Sequence, residues 1–384
     1  MFKKKPIIQV IMPDTMERPS GGLGEQFKNI HKRLSDQFDF DIVGQIEKNN
    51  IPNYYSVESL IPELEQAHAG LYNYVAQSSY GYAGMKLRKP DLIHGNDWSC
   101  YIASYHSAMF HKVPLLVSMN LSIRLLKESG IYACSDFKSY DGYYIQKGQE
   151  MVEKSGLESA DRIVQISHAY AKKFMPFADK TTVIPNGIDT KIWKKKEDYK
   201  FEGTDGNLKV VYIGRFASQK GVDLILKSEL PPNVDLFFIG GNRGGDINLY
   251  QNVVKLAAEK SNVFYLGEKY GQEKIDILFA ADAVLMPSRH EPFGIVGLEA
   301  MASNNILITT FDNGIADYCN EDIGIKCGLH EDSISWALLK FSKMSKDERK
   351  RRTDKGREIA MTMDWDDIVK QYADVYNEML NIKS

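Results

Sequence analysis

The chain has 384 residues, 43% of them apolar and 26% charged, and a formal net charge of −3. Those values fit a globular chain with room for two domains and exclude a global basic field for nucleic acid. No apolar run reaches the roughly 18 residues needed to span a membrane.

From the amino end, short β-branched runs predict strands at Ile7–Met12, Phe40–Val43, Leu92–His94, Leu115–Met119, Ile163–Ile166 and Thr182–Ile184. A second series follows at Lys209–Gly214, Leu236–Gly240, Val263–Leu266, Ala283–Pro287 and Ile306–Thr309. Helical patterns fall between them, for example at Gly22–Ser35, Trp98–Phe110, Ile247–Glu259 and Gln272–Ala280. Such alternation predicts an α/β chain with parallel sheets covered by helices on both faces. The series restarts near residue 208, after the polar, turn-rich segment from Lys194 to Asn207. That segment reads as the linker between two Rossmann-like domains, 1–195 and 196–363, with ligands expected in an inter-domain cleft beyond the strands' carboxyl ends. A last helix, Trp365 to Leu380, has Asp364 as its expected N-cap. The basic run Lys343 to Arg357 is interleaved with Asp347, Glu348 and Asp354 and reads as a solvated helix face. Cys100, Cys134, Cys319 and Cys327 match no zinc or redox spacing, and no secretory leader is recognised, so reduced thiols and a cytoplasmic location are expected.

The most informative stretch is Ser288-Arg289-His290-Glu291-Pro292-Phe293-Gly294-Ile295-Val296-Gly297-Leu298-Glu299-Ala300-Met301, which follows the apolar run Ala283–Met286. A strand, a turn with Pro and Gly, and a helix start together present free backbone N–H groups to an anion. Glu291 lies at the mouth of the turn and Glu299 about two helical turns further in. One acid can thus meet the neutral part of a ligand while the helix start meets its phosphate. Val211-Tyr212-Ile213-Gly214-Arg215-Phe216-Ala217-Ser218-Gln219-Lys220-Gly221 is a strand-to-helix loop with two cations. A departing diphosphate gains negative charge, which a guanidinium fork and a compact ammonium can hold.

These runs resemble the signatures of retaining GT-B glycosyltransferases, with the glycogen and starch synthase branch closest. The resemblance implies a GT-B fold and a final helix, 364–384, that joins the first domain. It implies that Arg215 and Lys220 bind the diphosphate, that Glu291 lies beside the donor sugar and that Glu299 binds the ribose. The N–H groups of Gly294, Ile295 and Val296 would meet sugar hydroxyls and phosphate. Tyr270, in Tyr265-Leu266-Gly267-Glu268-Lys269-Tyr270, either stacks on the base or merely packs. Ile184-Pro185-Asn186-Gly187-Ile188-Asp189 resembles the family's hinge turn, where Asn186 reaches the donor sugar; a structural turn with Gly187 at positive φ is the alternative. Gly22 belongs to the glycine-rich element Pro19-Ser20-Gly21-Gly22-Leu23-Gly24-Glu25, which allows close backbone approach to the donor. Asp97, in His94-Gly95-Asn96-Asp97-Trp98, should lie near the sugar, while His94 could equally be a satisfied core histidine.

Three positions depart from the family pattern. Pro19 stands where the glycogen synthases have lysine, Asn96 where they have the second histidine, and Met119 where a histidine contacts the donor sugar. A thioether carries no cation and donates no hydrogen bond. Another group then fills that gap, or the chemistry is weakened; His106 and His111 are near in sequence. The expected function is transfer of glucose from ADP- or UDP-glucose to an α-1,4-glucan. The partners are a nucleotide sugar and a carbohydrate acceptor, and no cofactor or metal is expected. Alternatives are a related retaining transferase with a lipid-linked, small-molecule or protein acceptor, or a non-catalytic glucan- or nucleotide-binding homologue.

Overall fold

The computed structural model describes residues 4–12, 22–44, 52–56, 69–131, 140–203, 205–242, 245–311 and 313–381. Pro19, Ser20, Gly21 and Cys134 lie outside them. The chain divides into two compact units, Met1–Pro185 with Asp366–Ser384, and Asn186–Trp365.

The first unit is built on a sheet of seven strands: β1 Ile7–Ile11, β2 Asp39–Gly44, β3 Tyr54–Ser56, β4 Leu92–Asn96, β5 Leu115–Met119, β6 Arg162–Gln165 and β7 Thr181–Val183. Their order is β3-β2-β1-β4-β5-β6-β7 and every pairing is parallel. β1, β4 and β5 are buried along their whole length, as a sheet covered on both faces requires. Two polar residues inside this layer, Gln9 and Asp41, are firmly bonded. Gln9 on β1 accepts from Ser107 Oγ at 2.6 Å and donates to Gly84 O at 3.0 Å, tying the helices Ala69–Lys86 and Tyr101–His111 to the sheet. The carboxylate of Asp41 accepts both arms of Arg88 at 2.8 Å. From the terminal helix Trp365–Met379, Tyr372 and Tyr376 are fully buried in this unit, and Tyr376 meets Phe38 at 5.3 Å.

The second unit holds β8 Leu208–Ile213, β9 Val234–Ile239, β10 Val263–Tyr265, β11 Ala283–Met286, β12 Ile306–Thr310 and β13 Ile325–Cys327. They are again parallel, in the order β10-β9-β8-β11-β12-β13. The direction of the order reverses between β8 and β11, so these adjacent strands flank a topological switch point, where α/β sheets bind ligands.

The strand series matches the expected one, with two additions, β3 and β13. Both are three-residue edge strands, too short for a periodic signal. The predicted helix Trp98–Phe110 opens instead as a 3-10 turn, Trp98–Cys100, before the α-helix Tyr101–His111. The polar segment Lys194 to Asn207 lies within the second unit. Lys196 N–H donates to Asp276 Oδ1 at 2.8 Å, and Phe201 meets Phe237 at 4.4 Å, so a backbone bond to the helix Gly271–Ala280 and a ring contact with β9 hold this stretch to the second unit. At the C-terminal edge of the unit, Asp364 Oδ2 accepts from Thr190 N–H at 3.0 Å and from the Thr190 hydroxyl.

Candidate active site

Strand β8 ends at Ile213 and the chain turns through Gly214 at φ 152°. A Cβ on Gly240 would lie 1.9 Å from Gly214 O, so the exits of β8 and β9 touch backbone to backbone. Phe216 is fully buried and packs near Tyr212, Phe238 and Tyr265. Burying such a ring contributes about 1.5–3 kcal/mol. The same anchoring leaves Arg215 exposed at the tip. Its carbonyl accepts from the Tyr212 hydroxyl at 2.7 Å. Burial, reinforced by the charge of Glu291 and opposed by that of Arg215, raises the Tyr212 phenol pKa, so both groups act on one buried hydroxyl.

The loop continues through the 3-10 turn Ser218–Lys220 to Gly221 at φ 72°. A Cβ on Gly221 would stand 2.1 Å from Pro287 O, so only glycine lets the β8 loop rest on the β11 loop. Several bonds lock the two loops. Arg289 N–H donates to Gln219 O at 2.9 Å, and Gln219 Nε2 donates to His290 O at 3.2 Å. The Arg289 guanidinium grips Asp223 through two bonds, 2.6 and 2.7 Å, and reaches Ser218 O at 2.6 Å.

This junction brings Lys220 and Glu291 together. The Lys220 ammonium lies 2.6 Å from Glu291 Oε2, with side chains 22% and 15% exposed. The hydroxyl of Ser288 reaches the same carboxylate oxygen at 3.3 Å. Three residues on, Gly294 sits in left-handed geometry as N-cap of the helix Ile295–Ala302 and supplies no side-chain cap. The first N–H groups of that helix, at Ile295 and Val296, therefore point outward with the positive end of the dipole. Gly314 N–H holds the Glu291 carbonyl at 2.9 Å.

Glu299, in the same helix, is mostly buried and meets the Lys274 ammonium at 2.5 Å. Lys274 also lies 5.5 Å from the Trp193 ring, whose indole donates to Ser303 Oγ at 2.8 Å. Tyr270 is 68% exposed, and its hydroxyl donates to Glu268 Oε2 at 2.7 Å. Glu268 lies against Gly241 at the exit of β9, 2.7 Å from where a Cβ would be. Asn186 is buried at the start of this unit. Gly187 is not at positive φ; a Cβ there would stand 2.8 Å from Met363 O, so close backbone approach requires the glycine. Sequence reading singles out neither Lys274, Ser288 nor Arg289 as a site residue. The signal for Lys274 is weak, a lone cation in a first helical turn.

In the first unit Asp97 follows the carboxyl end of β4, while Gly22 stands after β1. Gly22 opens the helix Gly22–Leu34 and is exposed. Asp97 follows β4 at φ 89°, with its N–H on Ser118 O at 3.0 Å and its carboxylate accepting from Trp98 N–H at 2.8 Å. His94 is a satisfied core histidine: Nδ1 meets the Tyr376 hydroxyl at 2.8 Å and Nε2 the Ser118 hydroxyl at 2.7 Å. Burial drives its pKa down to about 3, so the ring is neutral. Asn96 Oδ1 accepts from Asn120 Nδ2 at 2.9 Å. Met119 is fully buried, and its sulfur accepts from Gln165 Nε2 at 3.0 Å. His106 and His111 do not fill the gap that Met119 leaves. His111 ends the helix Tyr101–His111, about 15 Å along it, and bonds Gly84 O at 3.2 Å. His106 is exposed midway along that helix.

Among the described residues no group of three His, Cys, Asp or Glu side chains is arranged to hold a metal, and no helix is long and apolar enough to cross a membrane.

Two family descriptions match consecutive halves of the chain. Residues 20–192 match Glycosyltransferase Family 4, and residues 194–359 match Glycosyl transferases group 1. With two parallel-sheet Rossmann-like units, the chain belongs to the GT-B glycosyltransferases. Within that class it is glycogen/starch synthase-like. A glycogen synthase of Mycobacterium tuberculosis (strain CDC 1551 / Oshkosh) is 24% identical over 318 residues, covering 77% of this chain and 72% of that one. Sucrose-phosphate synthase from Thermosynechococcus elongatus superposes with a TM-score of 0.79 at 17% identity, covering 98% of this chain and 100% of that one. The catalytic domain of starch synthase IV from Arabidopsis thaliana, solved with ADP and acarbose, gives 0.71 at 16% identity, covering 99% and 100%.

Proposed function

We propose that this protein transfers glucose, with retention of configuration, from ADP- or UDP-glucose to an α-1,4-glucan. One observation carries the reading: Arg215, the Lys220–Glu291 pair and the uncapped start of the helix Ile295–Ala302 converge at the switch point between β8 and β11. That arrangement is suited to a pyrophosphate with a sugar attached. The two cations and the helix start stabilise charge as it develops on the leaving group. The bond between the anomeric carbon and the β-phosphate oxygen breaks, and its electron pair stays on that oxygen. The acceptor hydroxyl bonds to the anomeric carbon from the same face, and its proton passes to the departing phosphate. Glu291 orients the sugar, Glu299 takes the ribose hydroxyls, Tyr270 offers its exposed ring to the base, and Asn186 serves the sugar.

A second acceptor class is favoured by one feature of the first unit. Met119 offers the sugar no proton, and its sulfur already serves Gln165, so recognition at this strand end differs from that expected of a glucan synthase. A small-molecule or lipid-linked acceptor fits that difference.

The test is a donor panel of ADP-glucose, UDP-glucose and UDP-N-acetylglucosamine, each with and without glycogen, read as nucleoside diphosphate release and product mass. Glycogen-dependent release from a glucose donor, lost in Arg215→Ala/Lys220→Ala, supports the reading. Persistence of transfer near the wild-type rate in that double variant removes it.

A further inference from the structure

Lys274 and Glu299 differ from surface ion pairs of the second unit such as Lys255–Glu259, Lys269–Glu273 and Lys350–Asp354, each of which joins residues four apart on one helix. Lys274 reaches from the helix Gly271–Ala280 to the helix Ile295–Ala302. Its ammonium lies 2.5 Å from Glu299 Oε1, with side chains 24% and 9% exposed. A second side of the cation is also held. The ammonium lies 5.5 Å from the ring of Trp193, which is buried and whose indole N–H donates to Ser303 Oγ at 2.8 Å. Ser303 N–H in turn donates to Glu299 O at 3.0 Å, so carboxylate, ammonium, indole and serine close a ring of contacts. Such a frame orders the ammonium before any ligand arrives, which lowers the entropy lost on binding.

Both charged groups keep bonding capacity in reserve. An ammonium has three donors and no acceptor, and a carboxylate has only acceptors. Among the described residues the ammonium donates to Oε1 alone, and Oε2 accepts no bond. A hydroxyl satisfies both groups at once, because it donates one bond and has two lone pairs. Its proton goes to the carboxylate and one of its lone pairs takes an N–H of Lys274. Position selects which hydroxyl. Tyr270 is the N-cap of the helix that carries Lys274, is 68% exposed, and its carbonyl accepts from Lys274 N–H at 3.4 Å. Tyr270 and Lys274 thus stand about one turn apart on that helix.

We propose that Lys274 is a specificity-determining residue of the donor site. With Glu299 it clasps the ribose 2′-hydroxyl between a donor and an acceptor, so that ribonucleotide sugars are taken and 2′-deoxyribonucleotide sugars are refused. The inference rests on the reading in which Tyr270 carries the base and Glu299 the ribose. A methylene in place of the hydroxyl leaves ammonium and carboxylate facing an apolar group. Sites built to bond a hydroxyl reject the analogue that lacks it, because their own polar groups are left unpaired. A lysine that served only as counter-ion to Glu299 would act on ribo and deoxy forms alike.

Calorimetry of UDP against 2′-deoxy-UDP, and of ADP against 2′-deoxy-ADP, tests this on the whole chain. The wild type should bind the ribonucleotide of its preferred base at least tenfold more tightly than the deoxy form. Lys274→Met should lower that ratio at least threefold, by weakening the ribonucleotide more than the deoxy form. A wild-type ratio below tenfold overturns the proposal without any variant. So does a Lys274→Met protein in which the ratio falls by less than threefold, which makes the lysine a counter-ion alone; in both cases the donor reading stands. If neither UDP nor ADP binds the wild type, the donor reading fails and the inference with it.

Discussion

Lys220→Met isolates the charge on which the proposed chemistry turns, because methionine keeps most of the stem's volume and removes the ammonium 2.6 Å from Glu291. Two effects of different size follow. Breaking a fully buried ion pair costs about 3–5 kcal/mol and an exposed one about 0–1 kcal/mol. With side chains 22% and 15% exposed, and Ser288 still reaching the carboxylate at 3.3 Å, the loss here should fall between, at about 1–3 kcal/mol. In a unit of this size that lowers the melting temperature by roughly 3–10 °C. Removing one preorganised group that stabilises developing charge costs about 2.7–4 kcal/mol in the transition state, or roughly a hundred- to a thousandfold in kcat. The double variant Lys220→Met/Glu291→Gln separates the two. It leaves no unpaired carboxylate, so stability should return to within about 0.5 kcal/mol of wild type, whereas the rate should not recover. Thermal unfolding and nucleoside diphosphate release from the preferred glucose donor supply both readings. A single variant that melts early yet turns over within about threefold of wild type would refute the reasoning, because the ammonium would then serve only to hold Glu291.

Three further outcomes follow from the same geometry. Gly221→Ala places a Cβ 2.1 Å from Pro287 O at φ 72°, so the two loops must part; thermal unfolding should show a loss of at least about 3 kcal/mol, beyond the roughly 1–2 kcal/mol of a left-handed residue alone. Glu299→Gln should weaken nucleoside diphosphate binding by roughly five- to thirtyfold in calorimetry with little change in kcat, because it removes the charged acceptor proposed for the ribose and leaves Lys274 without its 2.5 Å charged partner. His94 is neutral in the folded chain, with its pKa held at about 3, against the ordinary value of 6.5 in the unfolded chain. Between those values the unfolded state binds the extra proton, so the stability is present in full above about pH 6.5 and is lost as pH falls toward 3, by about 1.4 kcal/mol per unit. His94→Gln should flatten that part of the melting temperature against pH curve.

The fold was legible because both sheets write themselves in the strongest local code there is, buried apolar runs such as Ile7–Ile11 and Ala283–Met286 separated by helical periods. Edge strands β3 and β13 escaped that code, being three residues long. In the second unit, motif spacing names Arg215, Lys220, Glu291 and Glu299 as candidates, but not Lys274 or Arg289, and it does not give the pairings. Lys220 and Glu291 are 71 residues apart and meet only because β8 and β11 are neighbours at the switch point. Lys274 and Glu299 meet for the same kind of reason, across a helix and a strand. Lys194 to Asn207 is polar in composition, yet it is held to the second unit by the backbone of Lys196, which bonds Asp276 on the helix Gly271–Ala280, and by the ring of Phe201 against Phe237 of β9. Composition reports the side chains that face water and is silent on main-chain bonds.

Met119 shows what a departure from a family pattern means once its surroundings are known. The residue is fully buried at the end of β5, and Gln165 Nε2 donates to its sulfur at 3.0 Å, while Gln165 Oε1 has no protein partner. A buried amide missing both bonds is costly, so the thioether is an acceptor here as well as a filler. Met119→Leu, nearly the same volume, should therefore cost about 1–3 kcal/mol, more than an ordinary swap of these residues in a core. Met119→Leu/Gln165→Leu removes donor and acceptor together and should recover most of the loss in thermal unfolding. If Met119→Leu is neutral by itself, the sulfur contact carries no weight. If instead the cycle closes as expected, the bond to Gln165 has taken over the polar capacity of this strand end. On the proposed reading, hydrogen bonding to a sugar at this strand end falls to its neighbours: Asn96 Nδ2 and Asn120 Oδ1 are both without a protein partner, and Asn120 Nδ2 donates to Asn96 Oδ1 at 2.9 Å.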